Sequence, residues 1–171
     1  MAVLGSEWRP RHNLALGVIK MKVRARHVSD SSEQRDAESI MLAELIQSLG
    51  LVSDEIVKEQ LPARLKPDWI DVKSKTLVEA YAHLGKVKGG QLHKVKGDIL
   101  KLIFLERKLG GTWRKILCFA DEEAAQIVKG KSWLGEAARE FGVEVHVVPL
   151  STQHAQKLRA AQVRQRMVNP K

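Results

Sequence analysis

Residues 67–83 read PDWIDVKSKTLVEAYAH, and this stretch decides the fold expected for the chain. Its residue types predict a strand over 68–72, a short polar turn, and a second strand over 76–83. Asp68 then lies at the start of the first strand and Glu79 in the middle of the second. Carboxylates on adjacent strands can bind a hard divalent cation such as Mg²⁺ together, while the same spacing also suits an ordinary hairpin with charged residues on its solvent face.

The side chains of the second strand divide between two faces of the predicted sheet. A period of two places Glu79, Tyr81 and His83 on one face with Leu77. The other face holds the small apolar residues that are typical of a core: Val78, Ala80 and Ala82. Glutamate is a poor strand former in an otherwise apolar strand, which favours a functional role for Glu79. We expect Tyr81 and His83 to pack on a face that is half exposed to solvent.

Helix and strand signals alternate on both sides of this stretch. Apolar residues at helical spacing predict a first helix over 32–49, with capping oxygens at its start and Gly50 after its end. The remaining segments predict a short helix over 54–60, a helix over 91–109, a strand over 115–120, a helical region over 121–141 interrupted near Gly130, a strand over 143–150 and a last helix over 151–167. This order predicts an α/β fold in which a central mixed β-sheet is flanked by helices on both faces.

The composition is that of a globular protein with one domain. The chain has 171 residues, of which 44% are hydrophobic and 29% are charged, and we assign 31–171 to a single α/β domain. Residues 1–30 form a basic segment, which we interpret as a first hairpin, a flexible arm or an extension ahead of a start at Met21. No apolar run reaches the ~20 residues that span a bilayer. The single Cys118 lies in an apolar run, as expected of a reduced thiol in a cytoplasmic protein.

The charge balance predicts an anionic partner. Lys and Arg number 29 against 20 Asp and Glu, which gives a formal net charge of +9. A basic surface attracts nucleic acid or an anionic membrane, and we expect nucleic acid as the partner and no membrane association. Lys86 and Lys88 lie in the loop ahead of the helix over 91–109, and Lys94 lies near its start. Free backbone N–H groups there favour a phosphate, and the three lysines would attract it over a longer range.

Helix, antiparallel strands, helix and strand is the core order of the PD-(D/E)XK nuclease superfamily, and the chain resembles that family over about 32–150. The matching motif is Pro67-Asp68, ten intervening residues, and Glu79-Ala80-Tyr81. The resemblance implies a three-layer restriction-endonuclease-like core. It also implies that Asp68 and Glu79 bind Mg²⁺, with Mn²⁺ as the alternative ion, and that the backbone carbonyl of Ala80 completes the coordination.

In that family a glutamate on the first helix often joins the metal ligands. Glu38 is our choice, because it points along the apolar arc of the helix, and Glu44 is the reserve. A salt bridge to Arg35 or to another basic residue explains Glu38 equally well, because a carboxylate directed at a core needs a partner. Asp71 is an alternative ligand to Asp68, which can also simply cap the strand.

The chain departs from the family pattern at the lysine two residues after the glutamate, where it has Tyr81. The phenol of tyrosine has a pKa near 10, so it is neutral at neutral pH and cannot replace an ammonium group. Lys94 on the next helix is the best substitute, although it can also pair with Asp98 one turn later. Gln91 resembles a glutamine that some members carry on that helix, and Lys88 is a weaker alternative to Lys94.

The resemblance therefore implies a Mg²⁺-dependent endonuclease that hydrolyses phosphodiester bonds in DNA, with Asp68, Glu79, Lys94 and Gln91 as the catalytic residues. The alternative is a catalytically inactive nucleic-acid-binding or assembly module on the same fold, which Tyr81 favours. A third interpretation is an interaction protein whose charge is incidental. A homodimer would suit an enzyme that cuts both strands, although no feature of the sequence encodes one.

Overall fold

The computed structural model describes residues 32–52, 61 and 65–168, and within them it has five helices and four strands. The helices are α1 Ser32–Leu49, α2 Gly90–Leu109, α3 Glu122–Lys129, α4 Trp133–Glu140 and α5 Thr152–Val168, and the strands are β1 Trp69–Asp71, β2 Thr76–Tyr81, β3 Arg114–Phe119 and β4 Val143–Val147. The basic segment 1–30 and the short helix predicted over 54–60 lie outside the described residues. No described helix is both long and apolar enough to cross a bilayer.

The four strands form one mixed sheet in the order β1-β2-β3-β4. β1 runs antiparallel to β2, and Trp69 lies opposite Val78. β2, β3 and β4 are mutually parallel, with Glu79 opposite Leu117. Parallel neighbours require crossover connections. Helix α2 connects β2 to β3, and helices α3 and α4 connect β3 to β4. The predicted α/β fold with a mixed sheet is therefore confirmed.

Two apolar cores lie on opposite faces of this sheet. On one face α1 and α5 pack against the side chains of β2 and β3, through Met41, Leu45, Leu158, Val78, Ile116 and Cys118. On the other face α2, α3 and α4 pack against the alternate side chains, through Val95, Leu102, Val128, Leu134, Leu77, Tyr81 and Phe119. Burial raises the pKa of the Cys118 thiol to about 12, which agrees with an unreactive core cysteine.

The expectation that one face of β2 is half exposed is wrong. Every residue of β2 is buried, and His83 beyond it is only 5% exposed. The cause is the parallel connection to β3, because a crossover helix necessarily covers the face on which it crosses. Glu79 is therefore a carboxylate under α2, in the interior of the domain, rather than on a wet sheet face.

The helical region predicted over 121–141 divides into α3 and α4, as the interruption near Gly130 indicates. Ser132 caps α4, because its Oγ accepts a hydrogen bond from the Gly135 N–H at 3.1 Å. α2 ends at Gly110, whose φ of 74° suits glycine and whose N–H donates to the Glu106 carbonyl. These breaks follow local backbone chemistry, so they could be predicted from sequence.

Candidate functional site

The site begins where the β1–β2 ladder stops. In the described chain β1 pairs with β2 only as far as Val78. Beyond that point the Ala80 N–H donates to Asp68 Oδ2 at 2.8 Å, and the Ala80 carbonyl accepts from Lys94 Nζ at 3.4 Å. Side chains from two other segments thus take over the backbone hydrogen bonds of β2, which draws Asp68, the Ala80 carbonyl and Lys94 together.

Glu79 is the most deeply buried carboxylate of the site, with 1% exposure. Its Oε2 lies 2.6 Å from Lys101 Nζ, and its Oε1 is buried without a hydrogen-bond partner among the described residues. Burial first, and then the negative charges of Asp68 and Asp98, raise the pKa of Glu79 to about 9, against the opposing effect of Lys101. A buried carboxylate oxygen without a partner is costly, so Glu79 is under-satisfied as it stands.

Glu38 reaches the same region from α1. Its side chain is 19% exposed, and Oε1 lies 3.5 Å from Lys94 Nζ. Burial raises the pKa of Glu38, Lys94 opposes the rise, and the charge of Asp68 adds to it. The reserve candidate Glu44 is exposed, and its charge acts on Cys118 on the α1 face of the sheet. Of the two glutamates, Glu38 is the one that lies beside Asp68 and Lys94.

Lys94 connects the parts of the site. Its Nζ lies 3.5 Å from Glu38, 3.4 Å from Asp98 and 3.4 Å from the Ala80 carbonyl. Burial alone would lower the pKa of Lys94, but the charges of Asp98 and Glu38 outweigh burial and raise this pKa above its usual range. The side chain as a whole is still 41% exposed, and the ammonium group is charged. The predicted contact between Lys94 and Asp98 is therefore present, together with contacts from Lys94 to Glu38 and to the Ala80 carbonyl.

Tyr81 belongs to the core and not to the ionic cluster. It is 2% exposed, its ring packs edge-on against Phe119 with 5.7 Å between centroids, and its hydroxyl has no partner among the described residues. Burial raises the pKa of Tyr81, so its phenol is neutral. Lys94 Nζ lies 5.2 Å from the centroid of this ring, which puts an ammonium group beside the side chain two residues after Glu79.

Gln91 makes its described hydrogen bonds away from the carboxylates. Its Nε2 lies 3.3 Å from His83 Nδ1, and its Oε1 accepts from the Lys88 N–H at 3.1 Å. His83 Nδ1 also lies 2.8 Å from Nε2 of Gln162 on α5. Gln91 thus links His83, just beyond β2, to Lys88 in the basic loop that precedes α2, one turn before Lys94.

The structure assigns Asp71 to the turn between β1 and β2. Oδ1 accepts from the N–H groups of Lys73 and Ser74 at 2.9 and 3.1 Å, and Oδ2 accepts from the Val52 N–H at 3.0 Å. These backbone bonds lower the pKa of Asp71, although burial opposes them. Because both oxygens already have partners, Asp71 is not a substitute for Asp68.

Sequence reasoning missed two members of the site, Asp98 and Lys101. Asp98 is 7% exposed and lies between the two lysines, 3.4 Å from Lys94 and 3.9 Å from Lys101. The available signal was a polar stripe at helical spacing along α2, formed by Gln91, Lys94, Asp98 and Lys101. A stripe of this kind usually faces solvent, and only the packing of α2 over β2 turns it inward.

The site combines four carboxyl groups with two ammonium groups: Glu38, Asp68, Glu79 and Asp98 with Lys94 and Lys101. This excess of acid favours an additional cation. No group of three or more His, Cys, Asp and Glu side chains within the described ranges is arranged to hold a metal ion. Mg²⁺ keeps several waters and needs only one or two carboxylates. Glu79, through its buried Oε1 without a partner, and the nearby Asp68 would be the carboxylates available to such an ion.

The raised pKa of Glu79 predicts a specific pH dependence of stability without metal. Its ordinary value of 4.5 applies to the unfolded chain, and the folded value is about 9. The folded state binds the Glu79 proton more tightly than the unfolded chain does. Protonation of Glu79 therefore stabilises the fold fully below pH 4.5, and this stabilisation is lost as the pH rises towards 9. Between pH 5 and 8, the unfolding free energy of the wild type should fall by about 4 kcal/mol relative to Glu79→Gln.

Urea unfolding in EDTA at the two pH values measures this difference. Glu38 and Asp98 titrate in both proteins, so the difference reports Glu79 together with its interaction with Asp98. Equal pH slopes for the two proteins would mean that Glu79 is not protonated in the folded state at pH 5.

Comparisons with known proteins return no match: no protein-family model, no curated protein and no solved structure matches this chain. What the site can do is therefore argued from its own residues. Those residues are a buried carboxylate with one open oxygen, an adjacent aspartate, a backbone carbonyl and an exposed lysine.

Proposed function

We propose that the chain is a Mg²⁺-dependent endonuclease that hydrolyses phosphodiester bonds in DNA, built on a restriction-endonuclease-like core, with Mn²⁺ as an alternative ion. The single observation that carries this proposal is the position of Lys94. Its ammonium group lies 3.4 Å from the Ala80 carbonyl and beside Tyr81, so a lysine from α2 is available where β2 has none. The objection raised by Tyr81 is thereby weakened.

Asp68 and Glu79 are the proposed metal ligands, with the Ala80 carbonyl and Glu38 at the edge of the same site. A bound Mg²⁺ supplies Lewis acidity and lowers the pKa of a coordinated water. In the reaction a water oxygen bonds to phosphorus, the bond from phosphorus to one bridging oxygen breaks, and that oxygen takes up a proton. The accessible Lys94 ammonium orients the phosphate and stabilises its negative charge as the bond breaks.

The substrate assignment rests on charge. The chain carries a net charge of +9, and Lys86 and Lys88 are exposed in the loop that leads into α2. Gln91 connects this loop to His83 beyond β2, and Lys94 of the site follows Gln91 by one helical turn. A DNA backbone bound along the loop would lie next to Lys94 at the start of α2. In a homodimer, two such sites would serve the two strands.

One observation favours a second candidate function, a DNA-binding module without catalysis. Tyr81 is fixed in the core against Phe119, so β2 itself cannot provide a cation at that position. If Lys94 serves only to neutralise Glu38 and Asp98, the site lacks a group to orient the phosphate. DNA binding through the basic loop would then remain without cleavage.

Incubation of the purified chain with supercoiled and linear DNA, in Mg²⁺, Mn²⁺ or EDTA, tests the two functions. The endonuclease proposal expects nicked or linear products with Mg²⁺ or Mn²⁺ and none with EDTA. Salt-sensitive DNA binding without products in either metal supports the binding module and rejects the enzyme. Cleavage of RNA alone would reject DNA as the substrate.

A further inference from the structure

Lys101 stands apart from Lys94 in its contacts. Its Nζ lies 2.6 Å from Oε2 of Glu79, 3.9 Å from Asp98 Oδ1 and 3.5 Å from the Lys66 carbonyl. Its side chain is 22% exposed, about half the exposure of Lys94 at 41%. The less exposed lysine therefore contacts the buried glutamate, and the more exposed one contacts Glu38 and Asp98.

Two other carboxylates of the same protein, Asp71 and Glu144, have hydrogen-bond partners on both oxygens, as expected of carboxylates that only stabilise the fold. Both oxygens of Asp71 accept backbone hydrogen bonds, Oδ1 from the β1–β2 turn and Oδ2 from the Val52 N–H after α1. Both oxygens of Glu144 accept from the Arg114 guanidinium, at 2.7 to 3.0 Å. Glu79 is more deeply buried than either, yet only Oε2 has a partner among the described residues. An ion pair that served folding alone would satisfy both oxygens.

We infer that Lys101 is a positioning residue, which holds Oε2 of Glu79 and leaves Oε1 for the divalent cation. The inference rests on the proposed function and assigns the two lysines of α2 different roles. Lys94 faces the phosphate, whereas Lys101 acts through Glu79 and contacts neither substrate nor metal. Partners that orient a metal ligand typically change metal affinity by about 10- to 100-fold when removed.

Mn²⁺ binding to the full chain, measured by the loss of the free-ion electron paramagnetic resonance signal, tests this role without any cleavage assay. Lys101→Met should weaken Mn²⁺ binding by about 10-fold or more. Lys101→Arg, which keeps a cationic donor at the same place, should restore binding towards the wild-type value. Lys96→Met is the matched control on the same helix, because Lys96 lies over the Trp133 ring and should not affect binding.

The outcomes separate the role of Lys101 from the proposed function. Unchanged or tighter Mn²⁺ binding by a folded Lys101→Met protein overturns the positioning role, since tighter binding would make Lys101 a competitor of the metal. Absence of Mn²⁺ binding by the wild type overturns the metal site and this inference together. Lys101→Gln gives the same comparison if the methionine variant does not fold.

Discussion

Replacing Glu79 by glutamine is expected to lower the rate of Mg²⁺-dependent DNA cleavage by about 10³-fold or more, because several kcal/mol of metal-derived stabilisation depend on this carboxylate. Glutamine keeps the shape of the side chain and the buried position under α2. It removes the negative charge that a divalent cation requires. Single-turnover cleavage of a labelled DNA duplex, with enzyme in excess, measures the loss directly.

Glu44→Gln is the matched control for this variant. Glu44 has the same side chain but is exposed on α1, with its charge acting on Cys118 rather than on Asp68 or Lys94. Its cleavage rate should equal that of the wild type. A Glu79→Gln protein that folds and cleaves at the wild-type rate would remove Glu79 from the metal site and leave the activity to another part of the chain.

Local chemistry explains why much of the fold could be predicted. α1 has the predicted bounds Ser32–Leu49. Its apolar residues recur at helical spacing, and Gly50 follows its last residue with a φ of 63° that favours glycine. β3 lies within one residue of its prediction as a short apolar strand. These signals depend on neighbours in sequence, so they persist whatever the rest of the chain does.

The site shows where such reasoning stops. Asp68 and Glu79 could be singled out by spacing, but the burial of β2 on both faces depends on where α2 crosses the sheet. Asp98 and Lys101 look like an ordinary solvent-facing stripe until that crossing places them over Glu79. Side-chain partners of this kind are set by tertiary packing, which periodicity along one helix does not specify.

One further substitution should separate the proposed roles of Lys94 and Lys101 on α2. Lys94→Met is expected to lower the cleavage rate by about 10²-fold or more, the usual effect of removing one group that stabilises charge in the transition state. Its Mn²⁺ affinity should change less than that of Lys101→Met, because Lys94 contacts Glu38 and the Ala80 carbonyl at the edge of the site and makes no ion pair with Glu79 in the described structure. Cleavage kinetics and Mn²⁺ titration of the same protein together measure this split.

Tyr81→Phe is the control that tests whether the phenol two residues after Glu79 has a role of its own. The Tyr81 hydroxyl is buried without a partner among the described residues, so its removal should cost no stability. If Lys94 provides the cation, the phenylalanine variant should cleave DNA at the wild-type rate, since the ring below the ammonium is retained. Loss of cleavage in Tyr81→Phe with full activity in Lys94→Met would reverse the assignment and make the phenol the functional group.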